Sequence, residues 1–591
     1  MPVKPLEMMN FFDEQRFTQY SPQSCSNWYL VDTPSGKKGK ALYPTMGRKH
    51  ISSLGATLLN FSAQPRALFK SVSFAYAVVG GVIYQIQPNF SVAKISNSSF
   101  TSTSGDVFFA FLPVVQVPHA NSYVQTTYVA FVADNQMYIF NEANTGSFAK
   151  VTDPLAPPLP NAIAAFGNRF AVSSQGSTQF WLTQINLGGT TVDPTMIFNI
   201  AGAAVFAQES GIIRQMGVLH NNLFIFTDYT TGIWSNTIST VTNAFASSNF
   251  PWKKNTSYDF DYGIADPNSL DIDFGMMCWL GQNRNGLVQF LSSNGQSPQP
   301  FSTQAVNTLL QRIANYANPG TSLLTLETDG FLYQYEDTRF YRVSIGPYND
   351  TNLLGFPSLA STLEYNFETQ TWHKCTELNG QRNIVDNHVF YSNKHLVSCL
   401  GQKCLYDMSG RYYFNELQDS GSPTGFIANP FRYENITPII FEQDYSEFMT
   451  KYIQIDFVWG DGFLYSQGPY DGVVFIIEEG TAGSNPTYMV AEDGVTYIIK
   501  EGTQYPDPDS STYAALFKPH IELYWSDDGG VSFNSADVLE FSQLGVYSWR
   551  MRWYQGGCSR NRVYKLICVS PVAIVILGAV QLVERASGGG N

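Results

Sequence analysis

Charge is scarce in this sequence. Asp, Glu, Lys and Arg supply 14% of its 591 residues, against about 25% in an ordinary soluble domain. Lys and Glu are also good helix formers, so their shortage removes the usual material of an α-helical surface. Cations are scarcer still: 34 Lys and Arg stand against 48 Asp and Glu, a formal net charge of −14. A chain so poor in cations is unsuited to gripping nucleic acid, because that affinity comes largely from Lys and Arg displacing counterions from phosphate. It remains suited to a wall past which DNA slides, where strong phosphate pairing would retard movement.

Cysteine is equally sparse. Seven cysteines, odd in number and scattered, exclude a disulfide framework. His388, His395, Cys399 and Cys404 fall close together in "HVFYSNKHLVSCLGQKCLYD" but lack the paired spacing of a zinc site. They are read as buried strand residues, and no metal or cofactor is expected. Long apolar runs are also missing: Leu566–Val580 is interrupted by Ser570, Pro571 and Gly578 and is too short to span a bilayer as a helix. Met1–Thr18 carries Glu7, Asp13 and Glu14 and has no continuous apolar core of the secretory kind. The expectation is a chain made in a cytoplasm. No P-loop, dinucleotide fingerprint, G-x-S-x-G or H-E-x-x-H occurs, which argues against an enzyme.

What the sequence does hold is aromatic and β-forming. Phe, Trp and Tyr make up 15%, and with Val, Ile and Thr they favour half-buried pleated surfaces. Apolar runs recur in pairs around residues that accept positive φ cheaply: Gly80-Gly81, Asp134-Asn135, Asn221-Asn222, Asn285-Gly286, Asp329-Gly330 and Gly401-Gln402. The spacing of these units suits blades of about four strands. The fold expected is all-β: an irregular six- or seven-bladed β-propeller over 53–428, after an extended segment 1–52. A C-terminal β-domain, 429–591, carries a duplicated β-hairpin insertion at about 461–518. A pair of β-sandwiches is the alternative. One helix is predicted in "FSTQAVNTLLQRIANYANPG", with Ala305, Val306, Leu309, Leu310, Ile313 and Ala317 on one face, Ser302 as its cap and Asn318-Pro319-Gly320 as its stop.

The insertion repeats itself: Asp471–Thr481 reads "DGVVFIIEEGT" and Asp493–Thr503 reads "DGVTYIIKEGT". Phe475, Ile476, Ile477, Tyr497, Ile498 and Ile499 are too apolar for water, and the insertion is too short to bury them in a core of its own. They are candidate partner contacts on a projecting arm, or the two copies pair and fold back on the C-terminal domain. "WSDDGGVSF" fits the Asp-box pattern through Ser526, Asp528, Gly530 and Phe533, and resembles the hairpin turns of sialidase-type propellers, where the Asp organises a turn away from any catalytic centre. In "GVYSWRMRWYQGGCSRNRVYKL", Trp549, Met551 and Trp553 alternate with Arg550 and Arg552, one set on each strand face. The basic set, with Arg560 and Arg562, either meets a partner or pairs with acidic neighbours in its own sheet.

Taken together, these segments resemble one family, the packaged-DNA stabilisation proteins of short-tailed phages, also called tail hub or nozzle proteins. The resemblance rests on "SPQSCSNWYLVDTPSGKKGKALYPTMG" (Ser21–Gly47) with its Cys-x-Asn-[LW]-Tyr element, and on Met277–Gln282 followed by "SSNGQSPQPFSTQAVNTLL". It also rests on Tyr365–Lys374, on Asn387–Ser409 and on the ending from "LYWSDDGGVSF" to "ILGAVQLVE". It covers nearly everything except roughly 460–519. The resemblance implies a propeller-like subunit of a closed, sixfold ring in the virion tail, a homo-oligomer with head-to-tail interfaces. That ring continues the DNA channel below the portal and adaptor proteins, adjoins tail fibre, spike or needle proteins, and helps retain packaged DNA until ejection. The family pattern includes no catalytic residues. A receptor-binding or glycan-degrading tail component with a sialidase-like propeller is the competing reading, and would need a pair of poised carboxylates that the sequence does not single out.

Overall fold

The computed structural model describes residues 3–8, 10–15, 21–33, 39–51, 61–95, 99–119, 122–184, 187, 192–198, 205–236, 252–255, 259–317, 328–346, 360–418, 426–442, 444–459, 489–490, 497–498, 520–534, 537–540, 549–570 and 573–585. Among these the chain is almost wholly β, with one α-helix, Gln304–Ala317. No helix among the described residues is long and apolar enough to cross a membrane.

Five antiparallel sheets follow one another as propeller blades. They run from Pro65–Lys70 to Val92–Lys94, Val107–His119 to Asn144–Lys150, Pro160–Phe166 to Val205–Gln208, Ile213–Leu219 to Trp252–Lys254, and Gly263–Ile264 to Gln299–Pro300. Two further four-stranded arrays follow. One is Thr328–Tyr335 to Thr371–Cys375; the other is Val385–Tyr391, Lys394–Cys399 and Leu405–Ser409 with the N-terminal strand Gly47–His50 on its outer edge. Ser24–Ser26, Phe426–Ile436 and Phe414–Gln418 bridge their outer edges, so both arrays are part of one fourteen-stranded sheet. The expected six or seven blades are therefore corrected to five separate ones. The first strands touch in cyclic order, with Asp271–Asp273 taking that place in the fifth sheet, and Val385–Tyr391 returns to lie beside Pro65–Lys70.

The turns follow the steric logic of tight hairpins, with two corrections. Asp134 and Asn135 both sit at positive φ, 53° and 56°, in the two-residue turn closed by Ala133 and Gln136. The turn expected at Asn221-Asn222 lies one residue earlier, where His220 and Asn221 take positive φ and Asn222 already pairs with Leu219. Asp329-Gly330 forms no turn at all. Both lie inside Thr328–Tyr335, whose hairpin closes at Glu336-Asp337. Gly330 is required there by close approach: a Cβ would collide with the Tyr341 hydroxyl.

Between blades the aromatics supply the core. Phe100, Phe131, Phe140 and Tyr138 fill the seam between the first two blades, and complete burial of each contributes about 1.5–3 kcal/mol. The helix buries Ala305, Val306, Leu309, Leu310 and Ile313 against Phe290, Tyr341 and Trp372. Its cap is Thr303, whose Oγ1 accepts from the Val306 N–H, while Ser302 Oγ accepts from Phe290 N–H in the adjacent strand. The Ala317 side chain lies outside the described set.

The N-terminal stretch, expected as an extended segment, is woven into the C-terminal region. Val3–Leu6, Trp28–Thr33 and Gly39–Pro44 join Ile574–Arg585, Phe448–Trp459 and Trp549–Ser559 in a six-stranded sheet. This sheet and the strands Phe426–Ile436, Val563–Ser570 and His520–Ser526 form a near-closed barrel around Leu6, Trp28, Tyr433, Ile455, Trp553 and Leu566.

Candidate functional site at the joint of propeller and barrel

The joint is built on Cys25-Ser26-Asn27-Trp28-Tyr29, the element that carried the N-terminal resemblance. Ser24–Ser26 pairs in parallel with Thr371–Cys375 of the propeller and antiparallel with Phe426–Ile436 of the barrel. Asn27 then turns the chain at φ 59°, a left-handed conformation that Asn tolerates better than bulkier residues. Its side-chain amide donates to Thr376 O (3.0 Å), Thr376 Oγ1 (2.9 Å) and Arg432 O (2.8 Å), and its Oδ1 accepts from the Thr376 N–H (2.9 Å). Trp28 follows into the barrel, stacks on Tyr433 at 4.9 Å and donates from Nε1 to Ile574 O at 2.8 Å. Buried Asn435 ties down an earlier stretch of the N-terminal segment, through Met8 O and Asn10 Oδ1.

Buried ion pairs lock the two arrays that flank the joint. Arg48 makes a two-pronged contact with Glu377, Nη1 to Oε1 at 2.8 Å and Nη2 to Oε2 at 3.0 Å. Arg342 Nε lies 2.5 Å from Glu364 Oε2, the Tyr333 hydroxyl donates to the same oxygen, and His373 Nε2 lies 2.8 Å from Oε1. Burial pushes the Glu364 carboxyl up, but Arg342 and His373 outweigh it and hold its pKa at about 2. Glu364, His373 and Cys375 bring three donor atoms within 4.8 Å of one another. Arg342 and Tyr333 also engage the Glu364 carboxylate of this group. His388 Nε2 and His395 Nδ1 are 3.0 Å apart, and burial pushes the Cys404 thiol up to about 12.

Asp528 Oδ1 accepts from Ser526 Oγ (2.6 Å) and from the N–H groups of Val531 and Ser532 (both 3.0 Å), and Oδ2 accepts from Ser532 Oγ (2.5 Å). These bonds, led by that from Ser526, lower the carboxyl pKa well below the usual range. Gly530 sits at φ 89°, where a Cβ would stand 2.8 Å from Pro22 Cβ. The Lys565 ammonium covers the Phe533 ring at 4.4 Å. Neighbouring Asp527 pairs with buried Arg562, Nε to Oδ1 at 2.8 Å. Met551 and Trp553 face the barrel core, whereas Arg550 pairs across the sheet with Asp456 and Arg552 with Gln454. Within its own sheet, then, the basic stretch finds cross-strand partners.

Phe475, Ile476, Ile477 and Ile499 lie outside the described residues. Tyr497–Ile498 pairs antiparallel with Met489–Val490. Sequence reasoning missed Asn27 as the joint and missed every buried ion pair. Pairs separated by more than 300 residues, such as Arg48 and Glu377, leave no local periodicity to read.

Residues 67–333 match the family model described as bacteriophage P22 Gp10, β-propeller. No curated protein matches the sequence. Solved structures similar to the chain include Hsv2p of Kluyveromyces lactis, at 11% identity over 59% of this chain and 96% of that one, with a TM-score of 0.23. BamB of Moraxella catarrhalis matches at 8% over 61% and 97%, with a TM-score of 0.28. A glycoside hydrolase family 43 arabinoxylan arabinofuranohydrolase of Bacillus subtilis matches at 8% over 91% and 99%, with a TM-score of 0.20.

Proposed function

Since residues 67–333 match the model of the phage DNA-stabilisation family, we propose that the chain is a structural component of a short phage tail. In this reading it is a virion hub or nozzle subunit whose copies close into a sixfold ring. The ring continues the DNA channel beneath the portal and adaptor proteins, adjoins fibre, spike or needle proteins, helps retain packaged DNA and takes part in its ejection. We also read the two arrays merged into the fourteen-stranded sheet as further blades, which brings the cycle of first strands to seven. The observation that carries the proposal is the family match over the propeller. The net charge of −14 supports a channel that passes DNA without gripping it.

The protein acts as a structural part rather than an enzyme. In support, both Asp528 oxygens are engaged in turn-forming hydrogen bonds, which leaves the motif without the free carboxylate that glycan hydrolysis demands. Electron microscopy and analytical ultracentrifugation of the purified chain, alone and with its adaptor complex, test the reading. A hollow ring of six copies is expected. A chain that stays monomeric in both conditions overturns it.

A further inference from the structure

The sixth and seventh arrays of the cycle meet along their first strands, Thr328–Tyr335 and Val385–Tyr391. These strands stand level with each other. Phe331 and His388, each the fourth residue of its strand, stack at 4.9 Å, and Tyr333 lies 6.0 Å from the same imidazole. Asp329 and Asp386, the second residues of these strands, meet at the same seam, where their carboxyl groups come within hydrogen-bonding reach of each other.

Two carboxyl groups can share a hydrogen bond only when one of them carries a proton, because an ionised carboxylate has acceptors alone. Among the described residues, no N–H group donates to the buried Asp386 Oδ1. The charges facing Asp329 are Asp386, Asp266 and the guanidinium of Arg382, and Arg382 Nη1 is directed to Gly346 O at 2.8 Å. Asp266 is itself pushed up to about 6 by burial and lies near Asp106. Among the described groups that act most on Asp329, one cation stands against two carboxyl groups, which favours keeping a proton in the pair.

We propose that a single proton shared by Asp329 and Asp386 latches the seam between these two strands, and that its loss to solvent loosens the propeller there. Above the pH at which the pair ionises, two carboxylates face each other and repel. The same pressure acts on Asp329 alone: burial first, then Asp386, raises its pKa well above the ordinary carboxylate range. The folded seam therefore binds a proton that the unfolded chain has already released. Its stability is full below the ordinary carboxylate range and declines as pH rises towards the folded value. The His388–His395 pair behind it has the opposite sign, since burial holds both imidazoles neutral.

Hydrogen exchange of the full-length wild-type chain across pH 5–9, followed by mass spectrometry, tests the latch. Rates are corrected for intrinsic chemistry, and Ile213–Leu219 of a distant blade serves as the control. Opening of Thr328–Tyr335 and Val385–Tyr391 should increase about tenfold for each pH unit through which the proton is released, with the control unchanged. Asp329→Asn and Asp386→Asn each supply an amide donor at every pH and should flatten that dependence. Equal pH slopes at the seam and the control in the wild type overturn the proposal, as does a seam slope that persists in both variants. The wild-type series decides the matter even if a variant fails to fold.

Discussion

Asn27 and Thr376 hold each other reciprocally. The Asn27 amide donates to the Thr376 carbonyl and hydroxyl, and the Thr376 N–H donates back to Asn27 Oδ1. One residue of the N-terminal segment thereby fixes the outer strand of a propeller array to the first turn of the barrel. Three of its four side-chain bonds go to Thr376 and the fourth to Arg432 O, so the same amide reaches both bodies.

Asn27→Ala should destabilise the chain by about 3 kcal/mol, from orphaned buried partners and from a β-carbon at positive φ. Asn27→Gly removes the strain but not the lost bonds and should recover roughly 1 kcal/mol of that. Urea unfolding midpoints of both variants measure the difference. Equal midpoints for the two would mean the left-handed turn contributes nothing.

Arg342 and Glu364 are both fully buried. Replacing Arg342 by Met alone strands a charge and should cost about 3–5 kcal/mol, while Arg342→Met with Glu364→Leu should cost markedly less. Calorimetry of the single and double variants provides the comparison. A double variant as unstable as the single one would show that shape, not charge pairing, governs the site.

Acid should unfold the chain partly through the same carboxylate. Glu364 is held at about 2 in the fold, against an ordinary 4.5. Its contribution is present above pH 4.5 and is lost as pH falls towards 2, about 3 kcal/mol in all. His395, pushed down to about 4 by burial, must stay neutral, so its share is lost earlier, as pH falls from about 6.5 to 4. Unfolding midpoints recorded between pH 2 and 7 should decline in these two stages, and His395→Phe should shrink the first, which buried His388 shares.

Asp528→Ala should loosen the hairpin of His520–Ser526 and Asp537–Glu540 without changing any glycan turnover. Limited proteolysis reports the loosening and reducing-sugar release reports the turnover. Hydrolase activity that vanishes with this single change would overturn the structural assignment.

Binding to duplex DNA should be weak at moderate salt and have a shallow salt dependence, as expected for an acidic chain. Fluorescence anisotropy across a salt series measures this. A sub-micromolar affinity with a steep slope would contradict a channel that passes DNA without holding it.

The sequence by itself determined what depends on neighbours along the chain. Strand alternation, the Asp134-Asn135 turn, the buried helix face and the Asp-box hairpin all follow from side chains within a few residues of one another. Where local signals compete, tertiary contact decides. Asp329-Gly330 has the composition of a turn, yet pairing with Ser344 and Val343 of the next strand holds it inside a strand. Thr303 displaces Ser302 as the helix cap because a neighbouring strand engages the Ser302 hydroxyl. The blade count, the weaving of the N-terminal strands into the barrel and the Asn27 joint were likewise settled only in three dimensions. Their partners lie hundreds of residues apart, and burial, which gives those hydrogen bonds and ion pairs their strength, exists only once the chain has closed on itself.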